Sequence, residues 1–94
     1  MLQLTLYGRA YCHLCGDMRV ALEPLRREFP FVVQEVDVDA DPDLEARFGE
    51  RVPVLVGMGP EGPHELCHYF LDAVAVRMWL AAQACVRTST SGRT

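Results

Sequence analysis

Apolar and polar residues alternate through Leu2-Gln3-Leu4-Thr5-Leu6-Tyr7 and the run closes at Gly8, the period-two pattern of a short strand with one face on a core. From Leu14 the period changes. Leu14, Met18, Ala21, Leu22, Leu25 and Phe29 recur at helical spacing, while Asp17, Arg19, Glu23, Arg26 and Arg27 cover the other side. Pro24 lies inside this run and should kink the helix without ending it; Pro30 ends it. Phe31-Val32-Val33-Gln34-Glu35-Val36-Asp37-Val38 is rich in branched and aromatic residues and predicts a second strand, parallel to the first because a helix separates them.

Asp41 as N-cap, Pro42 at the first helical position and Gly49 as a left-handed stop predict a two-turn helix with Leu44 and Phe48 on one face. Val52 to Val56 reads as a strand headed by Pro53. Gly57 to Pro63 then has turn chemistry and His64 to Phe70 reads as the return strand, so a hairpin with a loose loop is expected. Asp72 should cap a last helix from Ala73 to about Ala84, with Val76, Trp79 and Leu80 inward. Residues 1–86 thus form one α/β domain in the order β-α-β-α-β-β-α, and the Thr, Ser, Gly and Arg of residues 87–94 predict a disordered tail.

At 94 residues, 50% hydrophobic and 23% charged, the chain suits one globular core. Its formal charge of -4 lacks the basic footprint that a phosphate backbone or an acidic membrane requires, so nucleic acid and membrane are not expected partners. No run is long enough to span a bilayer and the start lacks the form of a signal peptide, which leads us to expect a cytoplasmic protein; a monomer is also expected. The chain contains no Lys, which excludes Schiff bases and phosphate-loop lysines.

Cys12-His13-Leu14-Cys15 changes the picture most. It follows a strand and opens a helix within a βαβ unit, the setting in which C-x-x-C reads as a redox pair. Unsatisfied amides and the positive end of the helix dipole stabilise a thiolate there, and Arg9 and His13 can add positive charge. Cys12 should then ionise well below the free-thiol value, into a range of about 4 to 7. Cys15, one turn further in, is placed to attack Cys12 and resolve a mixed disulfide.

Leu6-Tyr7-Gly8-Arg9-Ala10-Tyr11-Cys12 and Arg51-Val52-Pro53 resemble the strand, basic residue and nucleophile, and the Thr-Val-Pro, of the glutaredoxins within the thioredoxin-fold superfamily. The C-H-L-C motif is similar to that of a small bacterial glutaredoxin-like subgroup. The resemblance implies a minimal thioredoxin fold, a four-stranded mixed sheet with the first and third helices on one face and the second on the other. It further implies a thiol-disulfide oxidoreductase that serves cell redox homeostasis and reduces protein or glutathione mixed disulfides. Cys12 and Cys15 would be catalytic and would form the redox disulfide. Arg9 would meet a glutathione carboxylate, and Val52 and a cis-Pro53 would present backbone to the substrate, with His13 beside the nucleophile. No cofactor is implied beyond glutathione as a co-substrate. Two positions depart from the family: His13-Leu14 replaces Pro-Tyr, and Cys67-His68-Tyr69-Phe70-Leu71-Asp72 stands where a glycine pair and acidic residues precede the last helix.

Two other classes compete. His64, Cys67 and His68 could join Cys12 and Cys15 around zinc or an iron-sulfur cluster. In a regular strand, however, His64 and His68 share a face that Cys67 does not, so convergence needs a bulge. The other is a redox-silent interaction module on the same fold. Cys85 reads as a small, half-buried hydrophobe.

Overall fold

The computed structural model describes the backbone of residues 2–93 and the side chains of residues 2–83. Strand β1 (Leu2–Gly8), helix α1 (His13–Arg26) and strand β2 (Phe31–Asp37) form the parallel βαβ unit. A single 3-10 turn (Val38–Ala40) leads to α2 (Pro42–Phe48), the hairpin of β3 (Val54–Gly59) and β4 (Gly62–His68), and α3 (Ala73–Arg93). The strand order is β2-β1-β3-β4, with β1 and β3 antiparallel, as are β3 and β4. This is the mixed four-stranded sheet and three helices of the thioredoxin fold.

The pleat of β1 divides the core. Leu2, Leu4 and Leu6 point to a face covered by Met18, Leu22 and Leu25 of α1 and Val76 and Leu80 of α3. Tyr7 points the other way, toward Val38, Phe48, Val54 and Val56 under α2. Successive side chains on a strand alternate sides, so one strand serves both layers.

Several boundaries differ from the sequence reading. α1 ends at Arg26, two residues past Pro24, and the Leu25 carbonyl then accepts from the amides of both Glu28 and Phe29, each at 3.0 Å. Phe29 still packs on the core, but from this closing turn. Gly49 is not left-handed: its φ and ψ are -52° and -38°. Its small size is what counts, since a Cβ there would lie 2.5 Å from the Glu45 carbonyl oxygen.

The hairpin loop is tight rather than loose. β3 begins after Pro53 and runs through Gly59, and Pro60-Glu61 alone join it to Gly62, whose φ is 107°. Gly57 belongs to the strand because α3 crosses it closely; a Cβ would lie 2.7 Å from the Trp79 ring. The helix is capped as expected, Asp72 Oδ1 accepting from the Ala75 amide at 3.0 Å. The backbone of α3 is helical to Arg93, past the end expected near Ala84. The helix thus runs through 87–93, where the sequence suggests a disordered tail, and the reading of Cys85 concerns a residue outside the described side chains.

Candidate active site

The Cys pair stands where β1 hands the chain to α1. The Cys12 amide donates to the Arg9 carbonyl at 3.1 Å, closing a turn over Arg9-Ala10-Tyr11-Cys12. Cys12 is the N-cap of α1 and its Sγ accepts from the Cys15 amide at 3.1 Å, the place an anionic sulfur would occupy. The two sulfurs form a disulfide, with Cα atoms 5.2 Å apart. The pair is asymmetric. Cys12 is half-buried, whereas Cys15 is 4% exposed.

Gly8 makes room for this arrangement, because a Cβ there would lie 2.7 Å from Cys15 Sγ. Sequence reasoning took Gly8 only as the end of a strand. The signal that could have found it is the glycine itself, seven residues before the cysteine that must fold back against the sheet. A cavity of about 320 Å³ opens beside the sulfurs, walled by Arg9, Cys12 and Cys15 and, across it, by Arg19, Glu35 and Asp37. Arg19 grips Glu35 with two nitrogens, at 2.6 and 3.0 Å.

Arg9 is brought to the site but is already engaged. One terminal nitrogen donates to Glu45 Oε2 at 2.8 Å and to the Gly49 carbonyl at 2.7 Å; the other lies 3.4 Å from Asp39 Oδ1. His13 is in solvent, 92% exposed, with Nε2 3.9 Å from an Asp17 carboxylate oxygen. Pro53 is buried and directly precedes Val54, which pairs with Tyr7, so the Val52-Pro53 segment reaches the same end of the sheet as the Cys pair. The Val52–Pro53 peptide is cis. Neither residue lines the cavity beside the sulfurs.

The segment before α3 explains how the chain departs from glycine there. Tyr69 has a φ of 64°, a left-handed backbone that a bulky residue adopts only when held. Its amide donates to the Pro53 carbonyl at 2.9 Å and its hydroxyl to the Glu50 carbonyl at 2.9 Å. Phe70 is left 69% exposed beside it.

β4 does contain a bulge, between the pairs Leu55–Cys67 and Val56–Glu65. It reverses the expected parity: the register puts His64 and Cys67 on one face and His68 on the other, 3.5 Å from a Glu65 carboxylate oxygen. Cys67 packs on the core under α3, and burial pushes its thiol pKa up, opposed by a bond from the Asp72 amide. Among the described residues, no three His, Cys, Asp or Glu side chains are placed to hold a metal ion.

A family model described as "Glutaredoxin-like domain (DUF836)" matches residues 3–81. The solution structure of protein Ne2328 from Nitrosomonas europaea is 37% identical, with a TM-score of 0.75 over 84% of this chain and 91% of that one. An uncharacterized Mycobacterium tuberculosis protein, Rv0508, is 36% identical over a 64-residue alignment, with 63% of this chain and 66% of that protein covered. The similarity therefore spans just under two thirds of that relative's length. Chloroplastic thioredoxin z shares the fold, with a TM-score of 0.68 at 19% identity over 90% of this chain and 80% of that one.

Proposed function

The chain belongs to the glutaredoxin-like domain family, and from that premise we propose that it is a thiol-disulfide oxidoreductase working through Cys12 and Cys15. The observation that carries this reading is the asymmetric pair at the start of α1, a half-exposed Cys12 whose sulfur accepts an amide and a buried Cys15 one turn behind. In the dithiol form, the Cys12 thiolate attacks one sulfur of a substrate disulfide. A mixed disulfide forms, the substrate S–S bond breaks, and the departing thiolate takes up a proton. Cys15, deprotonated, then attacks Cys12 Sγ; the Cys12–Cys15 bond forms and the second substrate sulfur leaves as a thiol. Two electrons pass to the substrate, and an external thiol reductant restores the dithiol.

A protein disulfide is the favoured substrate class. Tyr11, 95% exposed, precedes the nucleophile, and Phe70 follows the tyrosine that is bonded to Pro53, so aromatic surface stands on two segments of the site. The Val52 backbone, at the same end of the sheet, would meet the substrate main chain. The reaction belongs to a reducing compartment such as the cytoplasm, with the protein acting as a monomer.

The test is pH-dependent alkylation of Cys12 in a Cys15→Ser variant, with mass spectrometry of the adducts formed on incubation with oxidised glutathione or a disulfide-bonded protein. The expected apparent pKa lies at least one unit below the free-thiol value of about 8.5, and a protein adduct should form at Cys12. A pKa at or above the free-thiol value would sink the reading. A glutathione adduct without a protein adduct would redirect it to low-molecular-weight disulfides.

A further inference from the structure

Arg9 lines the cavity beside the sulfurs, and its side chain is held by groups of its own chain. Its backbone carbonyl holds the Cys12 amide at 3.1 Å, and its side chain crosses to Glu45 of α2 and the Gly49 carbonyl at the end of that helix, which receive one nitrogen, while Asp39 of the 3-10 turn faces the other. Its Nε is buried without a hydrogen-bond partner, although the side chain as a whole is 31% exposed, so the group is committed at its tip. The anchoring end is shaped for the purpose. The Glu45 carboxylate lies against Gly49 in the space that any side chain at 49 would fill.

We infer that Arg9 is a positioning residue: it straps the turn that carries Cys12 to the end of α2, and so sets the place of the nucleophile relative to the Val52-Pro53 segment that follows α2. Two carboxylates, Asp39 and Glu45, neutralise its charge where it stands, and the Asp37 carboxylate also lines the shared cavity. The guanidinium thus serves neither as a receptor for a ligand carboxylate nor as the main source of positive potential at Cys12, which falls to the amides at the start of α1. Lysine could not replace it, since one ammonium cannot span Glu45, the Gly49 carbonyl and Asp39 in the fixed fork that a guanidinium offers.

The inference rests on Cys12 being the nucleophile. Its test compares Arg9→Gln, Arg9→Lys, Glu45→Gln and the Arg9→Gln/Glu45→Gln double variant with the parent chain. The readouts are reduction of insulin disulfides with dithiothreitol as reductant, reduction of a glutathionylated peptide, and the pH profile of Cys12 alkylation. Each single variant, Arg9→Lys included, should lower kcat on the order of tenfold, because small displacements of a reacting group are costly. The double variant should be no worse than the singles, since both cut one strap. KM for the glutathionylated peptide and the Cys12 pH profile should not move.

A silent Glu45→Gln would overturn the inference. So would Arg9→Gln raising KM for the glutathionylated peptide at constant kcat, or raising the Cys12 pKa by a unit or more. Glu45→Gln keeps Arg9 and its bond to Gly49, so it remains informative if the Arg9 variants fail to fold. If the parent chain reduces neither substrate and its Cys12 titrates as a free thiol, the oxidoreductase reading falls; if the parent is active and the singles are silent, only the strap falls.

Discussion

Among the described residues, one face of the sheet carries ten buried apolar side chains from β1, α1, β2, β3 and α3, and the other carries four, Val38, Phe48, Val54 and Val56. The thin face is completed by other means. Tyr7 stacks on Phe48 with ring centroids 4.3 Å apart, and the Arg47 and Arg51 guanidinium carbons lie 5.1 and 5.7 Å from the Phe48 ring centre. Arg51 also bonds Glu65 of β4 at 2.6 Å, and Arg9 bonds Glu45 of α2 and the carbonyl of Gly49 just past it. Apolar burial is non-directional and scales with area, whereas bonds through arginine are directional and sensitive to a single atom. The thick face therefore supplies stability, and the thin face supplies the placement of the segments around the sulfurs.

The largest stability effect should come from Leu22→Ala. Leu22 is 1% exposed within the thick cluster, and its removal should cost about 4 kcal/mol, in the upper part of the range for buried leucines. Urea unfolding measures the loss, and the pH profile of Cys12 alkylation in the surviving folded fraction should be unchanged. A loss under about 1 kcal/mol would mean that the cluster collapses around the gap and that the face is not thick in the sense that matters.

Phe48→Ala should reverse that pattern. Its stability loss should be smaller, about 2 to 3 kcal/mol, because Phe48 is 8% exposed and its neighbours include flexible arginines that can follow the gap. Disulfide-reductase kcat should nevertheless fall several-fold, since α2 carries the partners of Arg9. Unchanged kcat with a loss larger than that of Leu22→Ala would break the division between the faces.

That division was only half legible in the sequence. The α1 stripe of Met18, Leu22 and Leu25 and the inward set of Val76 and Leu80 follow from periodicity, because burial against a sheet imposes one face on a helix. The Cys pair was legible because its position relative to strand and helix carries the chemistry. The Arg9 strap was not, since its partners lie 36 and 40 residues away and no local pattern reports such a pair. Gly49 and Gly57 misled for a related reason, and Gly8, rightly read as the end of β1, hid a second role. Gly49, Gly57 and Gly8 are absences of a side chain beneath Glu45, Trp79 and Cys15, and a sequence shows the gap without what fills it. The β4 bulge was hidden likewise, as one extra residue leaves the composition of a strand intact while it inverts the faces of His64 and Cys67.

The smallest effect should come from a charge contact at the rim of the thick face. Arg77 of α3 clasps Glu28, in the turn after α1, with two bonds of 2.9 Å, and this holds the Glu28 carboxyl below the usual carboxylate range. A depressed carboxyl contributes stability that is complete above its unfolded pKa of about 4.3 and is lost as pH falls through the lower folded value. Glu28→Gln should therefore lower the unfolding temperature slightly at pH 7, and the gap to the parent chain should close in acid. Solvent screens this exposed pair, so the same gap should narrow in high salt. Paired thermal melts at pH 7 and pH 3, each at low and high salt, make the measurement. A difference that persists at pH 3 would assign the effect to packing between the end of α1 and α3, which would enlarge the apolar share of the thick face rather than its ionic rim.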